Sequence, residues 1–303
     1  MNKEELLKLY NLPLDELLEM SSKYMTDNIE FCTLINARNG KCSQDCKYCA
    51  QSSHYRTDIE DYPLISKEEV IKAAKNAKDN GAIRFAVVTS GKSPDEENFD
   101  KILEFIDEVN KINGIKSCAS IGILNEEQAK TLAKHGLKRF HHNINTSESY
   151  YKDICTTHNW QDRLNTCKLV KKYGMELCCG VILGMGESIE QRIEMALELS
   201  EIEPDSIPIN ILMPIPKTPF EKYNDKIDDE NVLRTLAIFK IANPKSVLRF
   251  CGGRKRLSEE NQELALRCCV EGILTGDMLT TTGKTPQEDK NTIKKLNKQL
   301  VTI

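Results

Sequence analysis

Three cysteines lie close together in NGKCSQDCKYCAQSS, residues 39–53, and their types and spacing point to metal chemistry. Cys42, Cys46 and Cys49 are separated by three and then two residues. A structural zinc site is closed by four ligands, and the next cysteine, Cys118, is far downstream. Three thiolates on one loop can instead ligate three irons of a four-iron cluster. The spacing therefore predicts an iron–sulfur cluster whose remaining iron is open to bind another molecule.

Two other interpretations of this loop stay open at the level of sequence. A distant Cys or His could complete a zinc site, or the three thiols could be unrelated to one another. Zinc sites usually use paired CxxC units, and the chain contains no second CxxC. Metal analysis distinguishes these cases, because only the cluster requires iron and sulfide.

The composition limits the class of protein. The chain has 303 residues, of which 40% are hydrophobic, so it can build a sizeable core in one large or two small domains. Its formal net charge of −4 argues against a nucleic-acid partner, and its apolar runs are too short to span a membrane. The amphipathic N-terminus lacks the apolar segment of a signal peptide. We therefore expect a soluble, cytoplasmic protein.

The number of cysteines is high for such a protein, at 12. Disulfides are rare in the reducing cytoplasm, so several cysteines are expected to bind metal. The others are expected to pack as small hydrophobic side chains. We assign Cys32, Cys167, Cys268 and Cys269 to this packing group.

Short β-rich runs alternate with charged segments of helical periodicity along the chain. The predicted strands are 31–36, 83–89, 115–122, 138–144, 175–182, 206–213, 246–251 and 270–276. Near-continuous apolar strands between amphipathic helices are typical of a parallel sheet covered by helices. Eight strands predict an α/β fold of the (β/α)8 TIM-barrel type, with an open doubly wound sheet as the alternative.

We expect a single domain over residues 1–303. Its predicted parts are N-terminal helices in 1–30, the barrel in 31–280 and a C-terminal helical segment in 281–303. In barrels of this type the active site lies where the strands end and the βα loops begin. The cysteine loop starts six residues after the first predicted strand, so it is expected at that end of the barrel.

The cysteine loop resembles that of the radical S-adenosylmethionine superfamily, and CSQDCKYCAQSSHY is similar to the cluster loop of the biotin synthase family. Further similar stretches follow in order at 141–147, 156–166, 180–188, 206–212 and 277–289. The resemblance implies a sulfurtransferase that inserts sulfur into dethiobiotin. It implies that S-adenosylmethionine binds the open iron of a [4Fe-4S] cluster and is cleaved to a 5′-deoxyadenosyl radical. It also implies an electron donor such as flavodoxin or ferredoxin, and a homodimer.

The resemblance assigns roles to individual side chains, none of them an acid–base catalyst. Tyr48 and Ile182 match family positions beside the adenine of the cofactor, and Asn145 matches a position at the ribose hydroxyls. Asn143 and Asn210 match positions that face the ureido ring of dethiobiotin. The family often has aspartate where this chain has Asn145, so a negative charge is missing from that contact.

The family also uses a second, deeper iron–sulfur cluster as the sulfur donor, here of [2Fe-2S] or a larger four-iron type. By similarity, Cys118, Cys178 and Arg249 would hold this auxiliary cluster. The family's remaining cysteine aligns with Ala86, whose methyl group cannot bind iron. Residues two apart on a strand share a face, so Cys251, two positions after Arg249, is the expected substitute.

The same alternation of side chains excludes some nearby cysteines and histidines as ligands of one site, while others stay candidates. Cys179 follows Cys178 directly and is expected to face the helices. His141 and His142 are adjacent, so they cannot both serve one site. Cys155, in the loop after the fourth predicted strand, is a further candidate ligand.

Three rival functions are kept beside the biotin synthase interpretation. Another radical enzyme of this architecture, of the hydrogenase maturase or methylornithine synthase type, would share the cysteine loop but not the asparagine and second cysteine sets. A non-catalytic iron–sulfur carrier or scaffold would not need the open iron. A structural zinc protein would contain no iron.

Overall fold

Short parallel strands close into a barrel at the centre of the computed structural model, which describes residues 1–223, 227–277 and 282–303. The strands are β1 (Asn28–Arg38), β2 (Arg84–Thr89), β3 (Lys116–Ser120), β4 (Arg139–His141), β5 (Glu176–Cys178), β6 (Val181–Leu183), β7 (Ser206–Ile211), β8 (Val247–Phe250), β9 (Gly272–Leu274) and β10 (Gln299–Leu300). β5 and β6 are two halves of one strand position, because both pair with β7. β9 pairs with β1 and closes the barrel, which confirms the predicted (β/α)8 TIM-type fold.

Helices surround the barrel. They are α1 (Lys3–Tyr10), α2 (Leu14–Ser22), α3 (Lys67–Asp79), α4 (Glu96–Asn110), α5 (Glu126–Lys134), α6 (Tyr151–Ile154), α7 (Trp160–Lys172), α8 (Ile189–Ile202), α9 (Asp229–Ala242), α10 (Glu259–Cys268) and α11 (Pro286–Lys295). Ser66, Asn125, Asn159 and Ser188 begin four of these helices with reciprocal capping hydrogen bonds. Within the described ranges, no helix has both the length and the apolar character needed to cross a bilayer.

The two ends of the chain pack on the outside of the barrel. α1 and α2 contact α8 and α9, as predicted for residues 1–30. α11 lies in the predicted C-terminal helical segment, but the chain then forms β10, which pairs with β1 and was not predicted. The predicted boundary at residue 280 and part of the stretch 277–289 fall in 278–281, outside the described residues.

Each barrel strand directs alternate side chains towards the helices and towards the interior. Phe31 and Phe85 are fully buried in the hydrophobic core. Their neighbours Cys32, Arg84 and Ala86 instead line a cavity inside the barrel. The interior face of the sheet is therefore available for sulfur and polar groups, while the outer face supplies most of the apolar packing.

A buried ion pair connects α9 to the start of β9. Lys240 Nζ lies 2.5 Å from Glu271, which also accepts hydrogen bonds from the amide and hydroxyl of Thr26 at 2.9 and 3.0 Å. We expect Lys240→Ala to lower the free energy of unfolding by about 3–5 kcal/mol, because it leaves a buried carboxylate unpaired. Urea titration followed by circular dichroism measures this. Lys101→Ala removes an exposed pair with Glu97 and should change little. Equal losses in both variants would contradict the prediction.

Candidate active site

One cavity of about 320 Å³ connects the cysteine loop with the interior of the barrel. It is lined by side chains from the loop and from all eight strand positions. They include Tyr48, Cys49, Asn143, Asn145, Ile182, Asn210, His141, Cys32, Ala86, Cys118, Cys178, Cys251, Arg84, Arg139 and Arg249. The loop follows the carboxyl end of β1. Arg84 and Arg139 begin β2 and β4, and the guanidinium of Arg249 reaches Ser206 at the beginning of β7. The cavity opens at the end of the barrel where the βα loops begin. This is the predicted location of the site.

The cysteine loop follows β1 and is held by its own backbone. The amide of Cys42 donates to the carbonyl of Gln51 at 3.0 Å, and the amide of Cys49 donates to the carbonyl of Cys46 at 3.0 Å. Burial raises the pKa of the Cys49 thiol to about 11, and the nearby Cys42 adds to the effect. A hydrogen bond to Cys155 and burial raise the pKa of Cys46 well above its usual range. A cation is therefore needed to hold these groups as thiolates.

The spacing of these donors suits a multinuclear cluster better than one zinc ion. Tetrahedral zinc with sulfur at 2.3 Å would bring thiolates to about 3.8 Å from one another. Among the described residues, only Cys46, Cys155 and His158 form a set whose ligand atoms all lie within 4.8 Å of one another. The donor set of Cys42, Cys46 and Cys49 is wider than that, and it fits a group larger than a single ion.

Cys155 lies beside the cysteine loop and not in the barrel interior. Its sulfur is 3.7 Å from Cys46 Sγ, 3.2 Å from His158 Nδ1 and 3.2 Å from a carboxylate oxygen of Asp45. It does not belong to the cavity lining that contains the deeper cysteines. Proposing Cys155 as a ligand of the second cluster was therefore wrong, because the loop after β4 turns back over the first cysteine set.

Four cysteines, three of them on β1, β3 and β5 and one directly after β8, face the lower part of the cavity. They are Cys32, Cys118, Cys178 and Cys251. Burial raises the pKa of each thiol, and for Cys118 the value rises to about 11, although Arg139 and Arg84 oppose the change. The charge of Cys178 contributes to the raised pKa of Cys32, Cys118 and Cys251, so the four thiols are neighbours in space.

The predicted inward positions on these strands are confirmed, with one addition. Cys118, Cys178 and Cys251 line the cavity, and Cys179 faces the helices with its sulfur 3.8 Å from Cys167 Sγ. The interpretation of Cys32 as a packing residue was wrong. Cys32 lies on β1 and pairs in register with the first residue of β2, so it points into the same space as the other three.

Ala86 occupies an inward position beside the cysteine set. It pairs in register with Leu34 on one side and Cys118 on the other, and it lines the cavity. The place where the family's remaining cysteine would stand is therefore occupied by a methyl group. Cys32 and Cys251 bring two thiols to this space from the other strands, so the loss at Ala86 does not leave it short of sulfur ligands.

Arg249 extends beneath these thiols with a fully engaged guanidinium. Its Nη2 lies 2.8 Å from the carboxylate of Glu30, its Nη1 donates to the Glu30 carbonyl at 3.2 Å, and its Nε lies 3.4 Å from Ser206 Oγ. The contacts fix the side chain of Arg249, which lines the cavity two positions before Cys251 in the chain. The role of Arg249 as a cluster ligand stays a prediction.

The predicted asparagines gather around the break between β5 and β6. Asn143 Oδ1 accepts from the amide of Gly180 at 2.9 Å. Asn210 accepts from the amide of Gly252 at 3.0 Å and donates to the carbonyl of Val181 at 3.2 Å. These bonds fix both amides and leave part of each hydrogen-bonding capacity facing the cavity.

Asn145 differs from the other two asparagines. Its backbone is left-handed, with φ of 68°, and its side chain is only 3% exposed. Within the described part of the chain, its buried amide nitrogen has no hydrogen-bond partner. Ile182 and Tyr48 line the same region, and burial raises the pKa of Tyr48 well above its usual range. An unpaired buried donor beside apolar groups is suited to a ligand that brings a hydrogen-bond acceptor together with an apolar surface.

His141 and His142 lie on opposite sides of β4, as predicted. His141 lines the cavity, and its Nδ1 is 3.4 Å from Cys178 Sγ. Burial lowers the pKa of His141 to about 4, and the charge of Arg163 contributes in the same direction. His141 is therefore neutral near pH 7, and the pair does not form a two-histidine metal site.

Sequence reasoning did not identify Arg163, which lies on α7 beneath the cysteine loop. Its Nε donates to the carbonyl of Asn143, and its Nη1 is 3.3 Å from His158 Nε2. Its charge acts against the burial that raises the pKa of Cys46 and Tyr48. The only sequence signal was its place inside the stretch 156–166.

The chain is similar to known proteins over nearly its whole length. Residues 38–199 match the family model of the Radical SAM superfamily, and residues 208–299 match that of the Biotin and Thiamin Synthesis associated domain. A biotin synthase from Acetivibrio thermocellus is 43% identical over 282 residues, which cover 93% of this chain and 88% of that protein. A biotin synthase from Fusobacterium nucleatum is 44% identical over 274 residues, covering 89% and 76%.

Solved structures with low sequence identity share the fold. The [FeFe]-hydrogenase maturase HydG superimposes with a TM-score of 0.85 at 17% identity, covering 99% of this chain and 72% of that one. Methylornithine synthase (PylB) superimposes with a TM-score of 0.83 at 17% identity, covering 99% and 94%. At this identity the likeness concerns the barrel architecture alone.

Proposed function

Because this chain belongs to the biotin synthase family of radical S-adenosylmethionine enzymes, we propose that its two cysteine sets serve one reaction, sulfur insertion into dethiobiotin. The observation that carries this is the single cavity that joins Cys49 of the loop to the four inward cysteines. A radical produced at the upper set and a sulfur atom held at the lower set must both reach one substrate between them. The asparagines lie between the two sets.

The residues of the cysteine loop fit the cofactors of this family. Cys42, Cys46 and Cys49 would hold a [4Fe-4S] cluster, which would supply the electron for reductive cleavage of S-adenosylmethionine. The protein contributes three soft ligands on a closed loop and leaves no fourth cysteine in the adjacent sequence. In our proposal the cavity beneath the loop excludes bulk water and holds the substrate carbon next to the radical.

The proposed cofactor contacts are Tyr48 and Ile182 for the adenine and Asn145 for the ribose. The unpartnered, buried amide of Asn145 supports this assignment, because a buried donor costs free energy until a ligand accepts its hydrogen bond. Asn143 and Asn210 are proposed to face the ureido ring of dethiobiotin. An amide group can both donate to the carbonyl of such a ring and accept from its N–H groups.

Replacing Asn145 with glycine isolates the contribution of its amide. Glycine adopts the left-handed backbone of this position without strain, so the fold should be kept. We expect the Kd of S-adenosylmethionine to rise by about five- to tenfold through the loss of one hydrogen bond. Calorimetric titration of the reconstituted protein measures the Kd. Asn145→Asp, which retains an acceptor and restores the family's charge, is the comparison, and an unchanged Kd in the glycine variant would refute the contact.

For the auxiliary cluster we propose Cys32, Cys118, Cys178 and Cys251 as ligands. Four thiolates complete a cluster without a fifth residue, and Arg249 then supplies a positive charge beside it. Arginine stays protonated in proteins and has no free lone pair, which favours this role over direct ligation in this chain. Both a [2Fe-2S] and a four-iron cluster are compatible with four cysteines, so the iron content per chain decides between them.

The decisive experiment is anaerobic reconstitution with iron and sulfide, followed by incubation with S-adenosylmethionine, a reductant and dethiobiotin. Biotin and 5′-deoxyadenosine are quantified together with iron and acid-labile sulfide. Cys251→Ser should lower the iron content and abolish biotin formation, whereas Cys268→Ser, a matched change on α10 outside the cavity, should alter neither. A reduced-cluster spectrum that ignores added S-adenosylmethionine would instead favour an iron–sulfur carrier, and zinc in place of iron would refute the proposal.

We also propose the partners that the family implies. A flavodoxin- or ferredoxin-type protein is proposed as the electron donor, and a homodimer as the assembly state. Reduction of the cluster by each carrier protein tests the first. Sedimentation of the reconstituted protein tests the second.

A further inference from the structure

Cys155 lies against one cysteine of the first set and has no role in the function proposed above. Its sulfur is 3.7 Å from Cys46 Sγ, and the two residues are 2% and 9% exposed. They are 109 positions apart in the chain, so the contact is a product of the fold. A cysteine sulfur is both a weak hydrogen-bond donor and a weak acceptor. Cys155 is therefore placed to act on the first cluster through the ligand Cys46.

The segment that carries Cys155 is fixed to the cysteine loop on both sides of this residue. Before it, the carbonyl of Ile154 accepts from the amide of Lys47 at 2.9 Å. After it, the amides of two threonines donate to the carboxylate of Asp45 at 2.9 and 3.1 Å, and both threonine hydroxyls donate to the same carboxylate. The place of the thiol beside Cys46 is thus held by the surrounding structure and does not depend on the sulfur contact itself.

His158 donates a hydrogen bond towards Cys155. Its Nε2 lies 2.9 Å from Tyr151 Oη and 3.3 Å from Arg163 Nη1. A guanidinium group can only donate, so Nε2 is an acceptor and the ring proton is on Nδ1. Nδ1 is 3.2 Å from Cys155 Sγ and 2.9 Å from Gln44 Oε1. The sulfur of Cys155 therefore receives an N–H donor, which polarises its own S–H bond.

Iron on Cys46 sets the direction of the hydrogen bond between the two sulfurs. As a free thiol, Cys46 donates to Cys155, whereas a thiolate bound to iron has no proton and can only accept. Cys155, which keeps its proton, is then the donor. The Asp45 oxygen 3.2 Å from Cys155 Sγ competes weakly for this proton, because it already accepts from two amides and a hydroxyl. The S–H group is therefore directed at Cys46.

We propose that Cys155 donates an S–H hydrogen bond to the iron-bound sulfur of Cys46 and thereby raises the reduction potential of the first cluster. A donor to a ligand sulfur stabilises the reduced, more negative cluster more than the oxidised one. One electron enters from the electron donor, and no proton leaves Cys155. The inference rests on the proposed function, because it requires the [4Fe-4S] cluster of the loop. It is independent of dethiobiotin, so Cys155 is a positioning residue that acts through Cys46.

The test measures the reduction potential of the first cluster in the absence of S-adenosylmethionine. Anaerobically reconstituted protein is titrated with dithionite and followed by electron paramagnetic resonance. The signal of the first cluster is the one that Cys42→Ala lacks. We expect Cys155→Ala to lower the potential by about 40 mV, which is about a fivefold change in the reduction equilibrium at roughly 59 mV per tenfold. Cys155→Ser keeps a hydroxyl donor and should recover most of this loss.

Cys167→Ala is the matched control for the loss of a buried thiol. Its sulfur lies 3.8 Å from Cys179 Sγ in the helix layer, so the change removes a similar sulfur contact from a pair to which no iron is assigned. This variant should keep the wild-type potential. Iron and acid-labile sulfide are quantified in every variant, and circular dichroism reports whether each one folds. If Cys155→Ala does not fold, Cys155→Val fills the space of the thiol without a donor and takes its place.

An unchanged potential in Cys155→Ala, or a loss that Cys155→Ser does not recover, overturns the proposal. A higher potential in Cys155→Ala also overturns it, because Cys155 would then be a thiolate whose charge opposes reduction. Loss of iron from the first cluster would make Cys155 a ligand and not a donor. Biotin formation is assayed separately. The expected potentials without biotin refute the proposed function alone, whereas the absence of a reducible cluster on the loop refutes both.

Discussion

Replacing Cys32 with alanine is expected to abolish biotin formation and to reduce the iron content to about four per chain, that of the first cluster. The physical reason is that a cluster with four cysteine ligands loses one of them in a buried site, where water cannot readily replace it. The Cys32 thiol faces the cavity together with Cys118, Cys178 and Cys251. Cleavage of S-adenosylmethionine should persist, because the loop cysteines are untouched. Iron, acid-labile sulfide, 5′-deoxyadenosine and biotin are measured on the same preparation.

Two companion variants make this result specific. Cys167→Ala removes a buried thiol of the helix layer, 3.8 Å from Cys179 Sγ, and should keep both clusters. The double change Cys32→Ala/Ala86→Cys moves the thiol to the inward position on β2 where the family usually has cysteine. It should restore part of the lost iron. If the single variant keeps full iron content and biotin formation, Cys32 is not a ligand.

The barrel could be predicted from sequence because its signals are local and repeated. Each of the eight predicted strands coincides with a strand position of the structure, and helices lie between them as predicted. β10 was missed because two residues give no periodicity, and its pairing partner β1 is at the other end of the chain. Local patterns predict elements well and long-range pairing poorly.

The site was predicted in part. On β8 the inward face follows from Arg249, which alternates with the apolar Leu248 and Phe250. On β1, Cys32 shares its face with the charged Glu30, but the predicted strand began at residue 31 and left this signal out. Cys155 was misplaced because nothing in a loop sequence gives the direction in which the loop returns. That direction is set by contacts with distant parts of the chain.

Replacing Gly180 with alanine is expected to lower biotin formation about a hundredfold, because it displaces the segment that carries the substrate contacts. A β-carbon at this position would lie 1.9 Å from the carbonyl oxygen of Pro208 and 2.8 Å from its ring. Backbone and proline ring cannot move aside, so β5 and β6 must separate from β7. The Gly180 amide donates to Asn143 at 2.9 Å, its carbonyl accepts from Asn145 at 3.2 Å, and Asn145 accepts from Ile182 at 2.8 Å.

The same substitution should lower the free energy of unfolding by about 3 kcal/mol, measured by urea titration. Gly174→Ala is the matched control on the other side of β5. That glycine has φ of 74° with no atom within 4 Å of an added β-carbon, so the variant should lose about 1–2 kcal/mol and keep its activity. If Gly180→Ala loses stability but binds S-adenosylmethionine and forms biotin normally, the break between β5 and β6 serves packing alone. If Gly180→Ala loses both stability and biotin formation while Gly174→Ala keeps its activity, the interrupted strand is needed to place Asn143 and Asn145.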